Sequence, residues 1–147
     1  MNNSLFRRLL ATEDGVAPLA LRVVVGLIFA AHGSQKLFGW FGGYGLAGTG
    51  QFFDSVGLHP GQLMALLAGS AEFFGGLALI LGLFVRPAAA LVGFTMLVAI
   101  FSVHASKGFF LDKGGIEYAL ALLAASVSLA FSGGGKVSAD RALSARV

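Results

Sequence analysis

The apolar run over residues 63–85 constrains the fold of this chain more than any other stretch. Its 23 residues are apolar or glycine except for Ser70 and Glu72. About 20 such residues cross the ~30 Å hydrocarbon core of a bilayer as a helix. An ionised carboxylate at that depth costs about 2.5–3.5 kcal/mol even on the most lenient insertion scale. The run therefore predicts a membrane-spanning helix in which Glu72 faces a partner.

The composition of the whole chain agrees with a membrane protein. Of its 147 residues 56% are hydrophobic and 12% are charged, and the mean hydropathy is +0.84. A soluble domain of this size leaves about 30% of its unfolded surface in water, which is too much for so apolar a chain. The ten basic residues are scattered beside apolar runs, which argues against nucleic-acid binding. The lack of cysteine excludes disulfides, thiol redox chemistry and thiolate metal sites.

Four segments have the length and composition of membrane-spanning helices. They cover about residues 18–38, 63–85, 87–107 and 115–131, and a loop at 39–61 joins the first two. The turn around Arg86 is so short that the second and third spans form an antiparallel hairpin. We therefore predict one domain over residues 1–147, an all-α integral membrane four-helix bundle.

The positions of Lys and Arg predict its orientation. With both termini inside the cell, seven basic residues lie on or near the cytoplasmic side and three lie on the other. The positive-inside rule then favours an N-in/C-in, multi-pass protein of the inner (plasma) membrane. The seven are Arg7, Arg8, Arg22, Arg86, Lys136, Arg141 and Arg146, and the three are Lys36, Lys107 and Lys113.

The loop at 39–61 alternates glycine with aromatic and apolar residues. It has no Gly-Lys-Ser or Gly-Lys-Thr ending, which argues against a phosphate-binding loop. Trp40 and Tyr44 suit the level of the lipid headgroups. We interpret residues 51–56 as one or two turns of interfacial helix lying over the outer mouth of the bundle, and a loosely ordered loop is the alternative.

Polar side chains from all four predicted spans fall in the outer half of the membrane. At 1.5 Å rise per residue, Glu72 lies only about 3 Å beyond the midplane and His32 about 6 Å beyond it. Gln35 and Lys36 follow His32 by three and four residues, so the three side chains lie on one face of the first span. The candidate catalytic residues are Glu72, His32, Lys36 and His104, and the candidate cofactor-binding residues are Gln35, Glu117 and Tyr118.

Structural roles for some of these residues remain open. His32 could simply hydrogen-bond across helices, and Lys36 could extend to the headgroups. Glu117 could interact favourably with the positive end of the dipole of its own helix. Arg22 lies deep in the inner half, and we interpret it as an anchor at the inner membrane surface rather than the partner of a buried group.

The same residues form an ordered set of motifs. Residues 22–39 read R-x-x-x-G-x-x-F-x-x-H-G-x-Q-K-L-F-G, and Gly57-Leu58-His59-Pro60 precedes the second span. That span carries Glu72-Phe73-Phe74-Gly75-Gly76 and ends in G-L-F-V-R, while Glu117-Tyr118 opens the fourth. Over about residues 17–140 this combination resembles the DoxX family of small four-helix membrane proteins. The resemblance implies a redox role, because DoxX-like proteins resemble a subunit of a thiosulfate:quinone oxidoreductase and have relatives associated with oxidative-stress complexes.

Three functional hypotheses follow. The first is a quinone-linked oxidoreductase subunit, in which His or Lys binds a quinone carbonyl and an acid relays protons. The second is a non-enzymatic carrier of a small solute, which would need oligomerisation, and the third is a structural membrane partner of a redox or stress complex. Whether the chain has enzymatic activity stays open. The expected partners are membrane lipid, redox proteins and a second copy of the chain.

Metal and haem sites are disfavoured. Three histidines without cysteine give no recognised metal-ligand spacing. Only His32 and His104 could act as axial haem ligands from two helices. The candidate cofactor is the quinone of the first hypothesis.

Overall fold

The computed structural model describes residues 3–146, which form helices joined by short turns and contain no strand. The all-α prediction is confirmed. The described residues form seven α-helices: α1 (Asn3–Leu9), α2 (Ala17–Phe38), α3 (Gly45–Ser55), α4 (Gly61–Leu81), α5 (Val85–Ala99), α6 (Glu117–Ser132) and α7 (Ala139–Ser144). α5 continues as a π-helical turn, Ile100–His104, and a 3-10 turn, Ala105–Lys107.

Three helices are long and apolar enough to cross a membrane. They are α2, α4 and the continuous helix from Val85 to Lys107. α6 is equally apolar but has 16 residues, which span about 24 Å at 1.5 Å per residue. Large apolar side chains such as Leu27, Phe74 and Phe131 are exposed on the outer faces of these helices, as contact with lipid requires.

The turn between α4 and α5 differs from the prediction. α4 ends at Leu81, four residues before the predicted end, because Gly82 adopts a left-handed φ of 69° that terminates the helix. The amide of Leu83 then donates to the carbonyl of Ala78 at 2.9 Å. Residues 82–84 form the turn, so Val85 belongs to the following helix.

Glycines bring α2 and α4 into backbone contact. A Cβ atom added at Gly33 would lie 2.3 Å from the amide nitrogen of Phe73, and one added at Gly76 would lie 2.5 Å from that of Ala30. Small residues permit such close crossings between membrane helices. The crossing therefore brings the backbone of α2 at Ala30 and Gly33 directly against that of α4 at Phe73 and Gly76.

Arg22 lies buried at the end of the molecule where the terminal segments meet. Its guanidinium donates to the carbonyls of Leu79 at 2.9 Å, Ile80 at 2.5 Å and Gly134 at 3.0 Å, and also to that of Val137. Only 2% of Arg22 is exposed. The interpretation as a surface anchor is therefore wrong, because the carbonyls ending α4 and those of the C-terminal segment enclose the guanidinium.

The C-terminal segment is part of the folded structure at the same end. The buried carboxylate of Asp140 accepts hydrogen bonds from the amides of Phe84 at 2.6 Å and Val85 at 2.9 Å, which caps the start of α5. Burial raises the pKa of Asp140, while these two amides and Arg22 act in the opposite direction. Residues 133–144 thus pack against the longer helices through the hydrogen bonds of Arg22 and Asp140.

Candidate functional site

A cavity of about 550 Å³ lies in the half of the molecule opposite Arg22. Side chains of α2, α3, α4, α5 and α6 line it, and most of them are apolar, including Phe29, Met64 and Leu122. Such walls with a few polar groups are typical of small-molecule sites, which measure about 300–1,000 Å³. The polar residues of the lining are His32, Lys36, Glu72, Thr95, Ser102, His104 and Tyr118.

Lys36 and Glu72 form an ion pair in the cavity wall. The Nζ atom of Lys36 lies 2.5 Å from Oε2 of Glu72, and the side chain of Glu72 is 4% exposed while that of Lys36 is 23% exposed. The glycine-mediated crossing of α2 and α4 holds the two side chains face to face. The cation that Glu72 requires is therefore Lys36, and the more exposed ammonium is the member that a ligand in the cavity can reach.

His32 and Tyr118 extend the polar surface of the cavity onto α6. Their ring centroids are 6.5 Å apart with an interplanar angle of 51°. Both residues line the cavity. Within residues 3–146 the ring nitrogens of His32 have no hydrogen-bond partner, so they are available to a bound molecule.

The hydroxyl and imidazole groups on the α5 side already have backbone partners. Thr95 donates to the carbonyl of Val92 at 2.7 Å, and Ser102 donates to that of Val98 at 2.6 Å. Nδ1 of His104 lies 2.7 Å from the carbonyl oxygen of Gly114. His104 thus lines the cavity and also ties the end of its helix to the loop before α6.

Gln35 and Glu117 point to loops and do not line the cavity. The side-chain amide of Gln35 donates to the carbonyl of Phe41 at 3.4 Å, and Glu117 accepts from the amide of Leu111 at 2.6 Å. Each lies near a helix end, where unpaired backbone groups of the adjoining loop compete for its side chain. Of the seven candidate residues, the structure brings five together around the cavity.

The π-helical turn Ile100–His104 shapes one wall of the cavity. Such turns within α-helices occur frequently at functional sites. This one places Ser102, Val103 and His104 on the lining. The apolar pattern of the third span gave no sign of it, because it changes the helix geometry without changing the residue types.

α3 lines the cavity with Phe52 and Phe53. It has 11 residues, which is longer than the one or two turns predicted. The carboxylate of Asp54 fixes it to the start of α4: Oδ1 accepts from the amide of Gly61 at 2.8 Å and lies 2.8 Å from Nδ1 of His59. The hydrogen bond with His59 lowers the pKa of Asp54, so the carboxylate is ionised at neutral pH.

The long apolar helices and the largely apolar cavity between them define an integral membrane protein with an internal site. The family model named DoxX matches residues 17–105, and the chain belongs to the DoxX family. No solved structure gives a significant match.

Relatives in several bacteria cover most of this chain. "Putative oxidoreductase CatD" of Bacillus subtilis is 35% identical over 118 residues, which are 80% of each chain. "Inner membrane protein YqjF" of Escherichia coli is 30% identical over 131 residues, 88% of this chain and 94% of the relative. "Uncharacterized membrane protein Rv3486" of Mycobacterium tuberculosis is 32% identical over 150 residues, 95% of this chain and 88% of the relative.

Proposed function

We propose that this protein is the quinone-binding subunit of a membrane oxidoreductase, with the quinone ring beside Lys36 and Glu72. The observation that carries the proposal is the ion pair in the wall of an otherwise apolar cavity of about 550 Å³. Apolar walls accommodate a flat ring, and a few polar groups set its orientation. One relative carries the name "Putative oxidoreductase CatD", which agrees with a redox role.

A quinone supplies a two-electron acceptor that takes up two protons to become a quinol. Here the ammonium of Lys36 donates a hydrogen bond to a carbonyl oxygen of the quinone. The carboxylate of Glu72 orients this ammonium, since Oε2 of Glu72 lies 2.5 Å from Nζ of Lys36. His32 offers a second donor from the next turn of α2. The Lys36–Glu72 pair can deliver the two protons one after the other, taking up a proton from water after each transfer, and a redox partner protein supplies the two electrons.

In this proposal α6 is the fourth span of a four-helix bundle with both termini in the cytoplasm. Arg22, Arg86 and the terminal segments share one end of the molecule. The cavity, with Lys36 and α3, lies in the other half. The positive-inside rule places the first end inside, so the cavity lies in the outer half of the plasma membrane.

A binding titration tests the proposal. The protein is purified into lipid nanodiscs and titrated with a benzoquinone and a naphthoquinone. Wild type is expected to bind one of them, and Glu72→Gln to weaken that binding by about 10–100-fold, the effect of losing a hydrogen-bonded charge that orients the donor. Glu117→Gln is the matched control, because Glu117 does not line the cavity.

Two results would contradict the proposal. One is a wild-type protein that binds neither quinone. The other is equal affinity in Glu72→Gln and Glu117→Gln. Uptake of a small acid into liposomes without quinone binding would favour the carrier hypothesis instead.

A further inference from the structure

The polar groups on the α5 side of the cavity all donate their hydrogen atoms to backbone carbonyls. The hydroxyls of Thr95 and Ser102 donate to carbonyls one turn earlier in the same helix, at 2.7 Å and 2.6 Å. Nδ1 of His104 lies 2.7 Å from the carbonyl oxygen of Gly114. A carbonyl oxygen only accepts hydrogen bonds, so Nδ1 of His104 carries the hydrogen. This side of the cavity therefore offers acceptors to a ligand.

The acceptor on His104 is fixed by the loop before α6. In a neutral imidazole one nitrogen donates and the other accepts, so a hydrogen on Nδ1 leaves Nε2 with a free lone pair. Within residues 3–146 Nε2 has no hydrogen-bond partner. Gly114 lies at the end of a 3-10 turn with a left-handed φ of 75°, and its amide donates to the carbonyl of Leu111 at 2.8 Å. Backbone hydrogen bonds thus hold the carbonyl that sets the tautomer of His104.

The α2 side of the cavity has the opposite character. The ammonium of Lys36 has three hydrogen-bond donors and no acceptor, and Glu72 engages it at 2.5 Å. The oxygen of a quinone only accepts, so it suits Lys36 but not Nε2 of His104. The hydroxyl of a quinol both donates and accepts, so it suits either side.

We propose that the cavity also binds the reduced ligand, the quinol, through a hydroxyl that donates to Nε2 of His104. This inference rests on the proposed function and names His104 as the residue that distinguishes the quinol from the quinone. Lys36 serves both forms, because a carbonyl oxygen and a hydroxyl oxygen each accept a hydrogen bond. A quinone oxygen beside His104 would instead place two acceptors face to face.

His104→Asn tests this role, because the side-chain amide of Asn can replace the donor at Nδ1 and has no atom in place of Nε2. His59→Asn is the matched control. Nδ1 of His59 also has a partner, Oδ1 of Asp54 at 2.8 Å, and His59 does not line the cavity.

Wild type and both variants are titrated in nanodiscs without oxygen. The probes are a benzoquinone and a naphthoquinone, the quinol of each, and the dimethyl ether of each quinol. The ether keeps the ring and both oxygens but has no hydroxyl hydrogen, so it isolates the contribution of the donor.

Wild type is expected to bind the quinol about tenfold more tightly than its dimethyl ether, and His104→Asn to lower the affinity for the quinol about tenfold. Affinity for the quinone should stay within about twofold in His104→Asn, as should all affinities in His59→Asn. Unchanged quinol binding in His104→Asn, or equal losses for quinol and quinone, would overturn the inference. A wild-type protein that binds a quinone but not its quinol would overturn the inference alone. One that binds neither would overturn the proposed function as well.

Nitrogen-15 NMR of histidine-labelled protein tests the tautomer independently. His104 is expected to show a protonated Nδ1 and an unprotonated Nε2, assigned by the loss of both signals in His104→Asn. If that variant does not fold, His32→Asn and His59→Asn assign the signals by elimination. The quinol should shift the Nε2 signal and the quinone should not. A hydrogen on Nε2 in the ligand-free protein, in a neutral or a doubly protonated ring, would overturn the inference.

Discussion

Lys36→Met is expected to lower the free energy of unfolding by about 3–5 kcal/mol, the cost of leaving one member of a buried ion pair without its partner. Glu72 is 3% exposed, and a lipid environment offers it no water. Thermal and denaturant unfolding in detergent micelles measure the loss. Lys107→Met is the control, since Lys107 is an exposed lysine at the end of its helix and should change stability by less than about 0.5 kcal/mol.

The double variant Lys36→Met/Glu72→Leu completes this experiment. Apolar residues of similar volume replace buried ion pairs with little loss, so most of the stability should return. Quinone binding should not return, because the hydrogen-bond donor is absent. A stable double variant that still binds quinone would show that the pair serves only to fix helix register. A single Lys36→Met variant as stable as wild type would contradict the role of Lys36 as the partner of Glu72.

Arg22→Leu is expected to release the C-terminal segment from the bundle. The guanidinium donates to four carbonyls, and each hydrogen bond from a charged group contributes about 1.5–3 kcal/mol. We expect the free energy of unfolding to fall by about 4 kcal/mol or more, and the amides of residues 133–144 to exchange hydrogen rapidly. Arg86→Leu is the control, because Arg86 donates one hydrogen bond, to the carbonyl of Ala11 at 2.7 Å.

A lysine at the same position refines the Arg22 experiment. An ammonium is a compact charge that cannot reach all four carbonyls. The free energy of unfolding of Arg22→Lys should therefore lie between those of wild type and Arg22→Leu. Exchange over residues 133–144 that is as slow in Arg22→Leu as in wild type would show that other contacts hold this segment.

The sequence was most informative about Glu72, because a buried charge has a cost that only a partner can offset. Helix periodicity and depth placed Lys36 and His32 on one face toward it, and the structure places both around the same cavity. This inference depends on the spacing of residues along single helices, which the sequence of one chain contains.

Features that depend on distant segments could not be read from the sequence. Arg22 meets carbonyls more than 110 residues further along the chain, so its burial follows from the return of the C-terminal segment. Gln35 and Glu117 lie on α2 and α6, but backbone groups of the adjoining loops engage their side chains. The full length of α3 was hidden by its glycines, whose low helix propensity is overridden where α3 packs closely on the start of α4.

The most direct test of a quinone site at the Lys36–Glu72 ion pair is to map the position of the bound quinone ring. A photoreactive quinone analogue is cross-linked to the protein in nanodiscs, and the labelled peptides are identified by mass spectrometry with and without excess unlabelled quinone. A ring held at the ion pair labels the peptides of α2 and α4 that contain His32, Lys36 and Glu72, and the excess quinone removes those labels. Labels confined to lipid-facing residues such as Val127 and Phe131, or labels that unlabelled quinone does not displace, would contradict a quinone site in this cavity.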